Sequence, residues 1–195
     1  MVRAGLNAER VTVAGADLAD EVGFGEVTLS ALAERLGVKV ASLYSHVAGL
    51  GDLQTRIALL ALAELADLAA GELAGRAGRD ALAALGGVFR DYAREHPGRY
   101  AAAQHPLDHE TALASAGPRH AAMTRAVLRD YHLAEPDRTH AVRLLGSVFH
   151  GYVSLELRGA FSHSAPDSQE SWVRVIDSLD ALLRSWPTTD DDPRT

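Results

Sequence analysis

The sequence predicts an all-α chain, and three observations carry that prediction. Apolar residues recur at steps of three and four along most of its length, the period of one helix face. Capping residues, Gly and Pro fall at the ends of those periodic stretches. No stretch between turn signals keeps the alternation of a half-buried strand. In the first element, Val11, Ala14, Leu18 and Val22 form one stripe. Asn7 caps that helix, Leu6 and Val11 stand at the spacing that pins the entering chain, and Gly23 and Gly25 end it. Thr28 caps the next helix, which buries Leu29, Leu32, Ala33 and Leu36 and stops at Gly37. A short helical segment over 40–46 follows. Gly49 and Gly51 then precede a long Ala- and Leu-rich helix over 50–73, carrying Leu53, Ile57, Leu60 and Leu65. Further helices are expected over 80–96, closed by Pro97-Gly98, and over 118–133 and 136–161, each opened by a proline. A last one covers 169–185. Residues 104–117 read as loop with short helical pieces at most, 162–168 as a linker, and 187–195 as a disordered acidic tail.

Composition narrows the function. With 195 residues, 47% of them hydrophobic and 23% charged, the chain can bury a sizeable core. Its 19 Lys and Arg against 26 Asp and Glu give a net charge of −7. That balance opposes indiscriminate nucleic-acid binding but allows a local basic site. The absence of cysteine excludes a disulfide scaffold, a thiolate zinc site and a cysteine nucleophile. The longest apolar stretch, 57–63, falls far short of the roughly 18 residues of a membrane span. The opening MVRAGLNAER has no apolar core of a signal peptide, so a cytoplasmic protein is expected. His105 and His109 have metal-ligand spacing beside Asp108 and Glu110, but Pro106 opposes the regular helix such a site needs. No metal, no cofactor and no catalytic residue is assigned, because no local signature joins the Ser, His and Asp residues present.

Residues 28–53, TLSALAERLGVKVASLYSHVAGLGDL, read as helix, three-residue turn, short helix, turn and new helix. That is the layout of a helix-turn-helix, whose second helix enters the major groove. Ala33 is small where two helices approach, Gly37 permits a positive φ, and Val38 plugs the space between them. Lys39, Ser42, Tyr44 and His46 are left facing outward. A plain helical hairpin would share this shape but leave that outward series unexplained. Tyr44 also admits a packing role, its ring stapled to the first helix and its hydroxyl on a phosphate.

This stretch resembles the TetR family of transcriptional regulators: Gly37, Val38, Leu43, Tyr44 and His46 match the family pattern, and Val47 replaces its usual Phe. The segment 149–157, FHGYVSLEL, resembles an H-G motif in the C-terminal domain of one subgroup. The resemblance implies an N-terminal three-helix helix-turn-helix domain over 1–49. It implies a C-terminal helical ligand-binding and dimerisation domain over 50–186, followed by the tail 187–195. It further implies a homodimer that binds double-stranded operator DNA through Thr28, Lys39, Val40, Ala41, Ser42, Tyr44 and His46. Such a regulator is most often a repressor, released by a small apolar effector, and not an enzyme. The last two long helices would form the dimer interface, with Leu144, Leu145, Val148, Val175, Ile176 and Leu179 on their apolar positions.

Two departures bear on DNA. Lys39 stands where the family usually has a capping Ser or Thr, at a cost of about 1 kcal/mol of helix stability, and it adds a charge able to meet a phosphate. Leu50 stands where the family usually has a phosphate-binding Lys. The first 56 residues carry Arg3, Arg10, Arg35, Lys39 and Arg56 against Glu9, Asp17, Asp20, Glu21, Glu26, Glu34 and Asp52, a net excess of acid. Lys39 is the sole lysine of the sequence. Phe89, Tyr92, Tyr100, Met123, Phe149, His150, Tyr152 and Trp172 admit two readings, plain core or the walls of a ligand cavity. A rival function, a helical small-molecule carrier or enzyme that ignores DNA, draws on the same cavity and on the acidic N-terminal region.

Overall fold

Ten α-helices make up the described part of the chain, residues 5–187 of a computed structural model. They are α1 (Ala8–Val22), α2 (Leu29–Leu36), α3 (Val40–Leu43), α4 (Leu50–Leu73), α5 (Gly78–Glu95), α6 (Pro97–Ala102), α7 (His109–Ala114), α8 (Gly117–Val127), α9 (Asp137–Leu157) and α10 (Ser168–Arg184). Single 3₁₀ turns occupy Phe24–Glu26 and Leu128–Tyr131, and no strand occurs among the described residues. The tail assigned to 187–195 lies outside the described residues except for Pro187.

The caps act as their chemistry requires. Asn7 Oδ1 accepts from the Arg10 N–H at 2.8 Å, Thr28 Oγ1 from the Ala31 N–H at 3.1 Å, and Asp167 Oδ1 from the Glu170 N–H at 2.8 Å. Three boundaries depart from expectation. α5 ends at Glu95, just ahead of Pro97-Gly98 as expected, but the same pair also opens α6, since a proline at the first helical position gives up only an N–H that has no helical partner. The helix expected over 118–133 stops at Val127 and tightens into a 3₁₀ turn. The helix expected to reach 161 ends at Leu157, ahead of Gly159 at φ 72°. Val22 lies off the buried stripe, 47% exposed.

The contacts divide the chain into two units, 5–68 with 91–119 and 69–90 with 120–187. In the first, Val11, Ala16 and Ala19 of α1 share a core with Leu32 and Ala33 of α2, Leu43 of α3 and Leu53 and Ile57 of α4. Gly15 lets α4 come close: a Cβ there would stand 3.1 Å from both Leu53 Cδ1 and Ile57 Cδ1. α6 also packs on α1. A Cβ on Gly98 would meet the Ala19 carbonyl oxygen at 2.0 Å, so only glycine fits that approach. A buried arginine fixes the same contact. The Arg99 backbone N–H donates to Asp20 Oδ1 at 2.8 Å, and its guanidinium reaches Asp17 Oδ1 at 2.5 Å and Asp20 Oδ2 at 3.4 Å. Glu64 stands 3.8 Å from the Arg99 Nε and accepts the Tyr92 hydroxyl at 2.6 Å. Burying a charge is tolerable only with such partners.

In the second unit, Ala141, Leu145, Phe149 and Val153 form the buried stripe of α9, and Trp172, Ile176, Leu179 and Leu183 that of α10. Arg90, 3% exposed, is the buried charge of this core. It makes a two-pronged pair with Glu156 at 2.6 and 2.8 Å, donates to Gln169, and stacks its guanidinium 5.4 Å from the Trp172 ring.

Candidate nucleic-acid interface

The turn between α2 and α3 is built from one glycine and two carbonyls. Gly37 takes the left-handed conformation, φ 66° and ψ 33°, which lets the Val38 N–H return to the Ala33 carbonyl at 3.0 Å and the Gly37 N–H to that of Glu34. The chain then turns sharply enough for α3 to leave α2 in a new direction. Lys39 occupies the cap position of α3 without any side-chain cap bond, as a lysine must, having no acceptor. Leu43 and Val47 face the core, 0% and 2% exposed, and anchor α3.

That anchoring fixes what remains outside. Lys39, Ala41, Ser42 and Tyr44 are exposed, Val40 and His46 half-buried, and Thr28 exposed at the start of α2. Tyr44 is 57% exposed, so its ring is presented outward rather than stapled to α1. Thr28 uses its oxygen as the α2 cap and keeps its hydroxyl proton to donate. Ser45, not singled out in the sequence, is also exposed on this segment, with its hydroxyl donating to the Ser42 carbonyl at 2.8 Å.

Two of the module's arginines are tied to its own carboxylates. Arg35 forms a two-pronged pair with Glu21 at 2.6 and 2.8 Å, and the hydrogen bond from Arg35 holds the Glu21 carboxyl below its usual range. Arg56 pairs with Asp52 at 3.0 Å. Partial burial opposes ionisation of Asp52, but the Ala48 N–H and Arg56 outweigh it and pull its pKa down. Lys39 has no carboxylate partner among the described residues. A cation and a phenol ring flanking one anchored helix, with the Ser42 hydroxyl on it, make a surface able to meet phosphates and base edges.

The eight candidate cavity residues fall into four places. Phe89, Phe149, Tyr152 and Trp172 pack on one another in the second unit, with ring centroids 6.3 Å apart for Phe89–Phe149, 5.7 Å for Phe149–Trp172 and 4.9 Å for Tyr152–Trp172. Gly86 lies beneath them, where a Cβ would touch both Phe149 and Trp172 at 3.0 Å. Tyr92 and Tyr100 are buried in the first unit, and burial pushes the Tyr100 hydroxyl up to about 12. Met123 lines a separate cleft, and His150 is exposed on α9. His105 packs edge-on against Phe24 at 5.5 Å, whereas His109 is exposed at the start of α7. No group of three or more metal-ligating side chains converges among the described residues.

Two family models cover the chain: residues 11–46 match the bacterial regulatory proteins of the tetR family, and residues 82–179 the tetracyclin repressor-like C-terminal domain. An HTH-type transcriptional regulator of Mycobacterium tuberculosis is 34% identical over 167 residues, which cover 84% of this chain and 76% of that protein. The regulator YobS of Bacillus subtilis is 30% identical over 184 residues, covering 94% and 92%.

The chain belongs to the TetR family.

It is thus a helix-turn-helix transcriptional regulator, and the relatives' identity as regulators sets aside the carrier or enzyme reading. Solved structures share the TetR fold. A TetR regulator of Streptomyces coelicolor superposes with a TM-score of 0.73 at 18% identity, covering 93% of this chain and 99% of that one. A TetR variant of Acinetobacter baumannii in complex with minocycline superposes with a TM-score of 0.69 at 24% identity, covering 94% and 100%. Regulators of the TetR family bind operator DNA, form dimers and bind small-molecule effectors. No helix among the described residues is long and apolar enough to cross a membrane.

Proposed function

We propose that this TetR regulator is a cytoplasmic, homodimeric repressor that leaves double-stranded operator DNA when a small apolar effector binds it. The observation that carries the reading is the unneutralised Lys39 on an anchored α3, beside exposed Ser42 and Tyr44, while Arg35 and Arg56 are tied to carboxylates. In this reading Thr28, Lys39, Val40, Ala41, Ser42, Tyr44 and His46 meet the operator, residues 1–49 form the DNA-binding domain and 50–186 the effector and dimer domain. Two copies place two recognition helices on the successive half-sites of a palindrome. An effector that prefers the conformation with mismatched helix spacing lowers operator affinity by its differential affinity for the two conformations.

The dimer face is read from α9 and α10. Leu145, Ile176 and Leu179 are buried within the protomer, so they do not serve a partner as the sequence suggested. Leu144, Val148 and Val175 are half-buried, and Leu155, Leu157, Val173 and Leu182 are more than 40% exposed, which supplies an apolar surface for a second copy. Phe149-His150-Gly151 is read as the H-G motif of its subgroup, and exposed His150 and half-buried Gly151 lie on the open side of α9. Selection of bound duplexes from a random DNA pool tests the proposal. An enriched palindrome with half-sites about one helical turn apart supports it, and recovery of no enriched sequence sinks it.

A further inference from the structure

We propose that the second unit carries a binding site for an aliphatic carboxylate, in the cleft between the end of α4, the start of α5 and the end of α8. The cleft has a volume of about 600 Å³, within the range of small-molecule sites. Its floor is apolar, with Leu73, Met123 and Val127 supplying the bulk. Ala70, Ala74, Ala77, Ala81 and Ala126 complete the lining with short side chains. No aromatic ring lines it, so it offers methyl and methylene surface to an alkyl chain rather than a face for a planar ring.

The rim decides the head group. Arg76, Arg129 and Asp130 stand there. Arg76 is paired with Glu72 at 3.0 Å. Asp130 is turned toward Arg184: a Cβ on Gly78 would lie 3.6 Å from Asp130 Oδ2 and 3.7 Å from the Arg184 guanidinium, and Asp130 helps to raise the pKa of Arg184. Arg129 is exposed and has no carboxylate partner among the described residues. One guanidinium without a counter-charge at the mouth of an apolar cleft matches one carboxylate, which it can grip with two parallel hydrogen bonds. The site is separate from the Phe149, Tyr152 and Trp172 rings, which occupy their own space with each other.

The inference gives the proposed effector a chemical class and a location, and it rests on the effector reading only for its regulatory meaning. It is tested without DNA, by calorimetric titration of the full chain with hexanoate, octanoate, decanoate and decanol. Binding should saturate at one decanoate per chain, and each added methylene should tighten it about fourfold until the cleft is full. Arg129→Gln, a surface change, should weaken decanoate about tenfold or more and leave decanol unchanged. Ala126→Phe should abolish both. Absence of saturable binding, equal affinity for decanol and decanoate, or unchanged affinity in both variants would each overturn the site. A chain that binds decanoate but selects no DNA keeps the site and refutes the proposed operator binding; the reverse result does the opposite.

Discussion

Replacing Gly98 by alanine adds one methyl group at the tightest approach in the first unit. That methyl would stand 2.0 Å from the Ala19 carbonyl oxygen, 2.1 Å from its carbon and 2.5 Å from the Asp20 nitrogen. Carbon contacts relax at about 3.5–4.0 Å, so α6 has to lift from α1 by more than about 1 Å. Both neighbours are backbone, and no rotamer change can make room. The lift also stretches the Arg99 N–H bond to Asp20, now 2.8 Å, and the Arg99 contact with Asp17. Overpacking costs about 1–3 kcal/mol, and weakening a bond to a charged group adds about 1.5–3 kcal/mol. Gly98→Ala should therefore destabilise by about 2.5–6 kcal/mol. Urea unfolding followed by circular dichroism reads this as a lower midpoint at unchanged slope. Gly87→Ala is the control: it lies inside α5 with nothing within 4 Å of an added Cβ, and should stabilise by about 0.5–1 kcal/mol. Equal midpoints for Gly98→Ala and the parent chain would refute the α6–α1 approach.

Three further outcomes are expected. Arg90→Met should cost about 3–5 kcal/mol by stripping Glu156 of its buried partner, and adding Glu156→Gln should recover part of that; thermal melts of the single and double variants read the difference. Tyr100 keeps its proton in the folded state until about pH 12 but loses it near pH 10 when unfolded, so its share of stability is whole below pH 10 and drains away above it. That loss amounts to about 1.4 kcal/mol by pH 11, and Tyr100→Phe should remove it from a comparison of unfolding midpoints at pH 8 and pH 11. Sedimentation should give a dimer for the full chain and a monomer or aggregate after deletion of 169–195; a well-folded monomer of the full chain contradicts the α9–α10 face.

What the sequence disclosed was local chemistry. Asn7, Thr28 and Gly37 each satisfy backbone groups within a few residues of themselves, so their roles could be read from spacing alone. The layout of α2, the turn and α3 followed, with Lys39, Ser42 and Tyr44 outward. α6 was missed because Pro-Gly reads as a stop, whereas the reason it forms lies on α1, where Asp17, Asp20 and the Ala19 carbonyl receive Arg99 and Gly98. No periodicity encodes a contact between residues so far apart in sequence. The aromatic set divided for a similar reason: Phe89 and Tyr92 lie three residues apart on α5, yet Phe89 meets Phe149 and Tyr92 bonds to Glu64. The pairing of Arg35 with Glu21 was equally silent, and it changes the charge arithmetic that DNA would meet.

That arithmetic leads to Lys39. Binding of the selected duplex, followed by fluorescence anisotropy across a salt series, gives the slope of log affinity against log salt. Each neutralised phosphate contributes about 0.9 to that slope. With Arg35 and Arg56 tied to carboxylates, the parent slope should be shallow for a DNA-binding dimer. Lys39→Ala should weaken binding to all sequences alike and flatten the slope by about 2, one contact from each subunit. An unchanged affinity together with an unchanged slope would contradict the assignment of α3 as the helix that meets DNA.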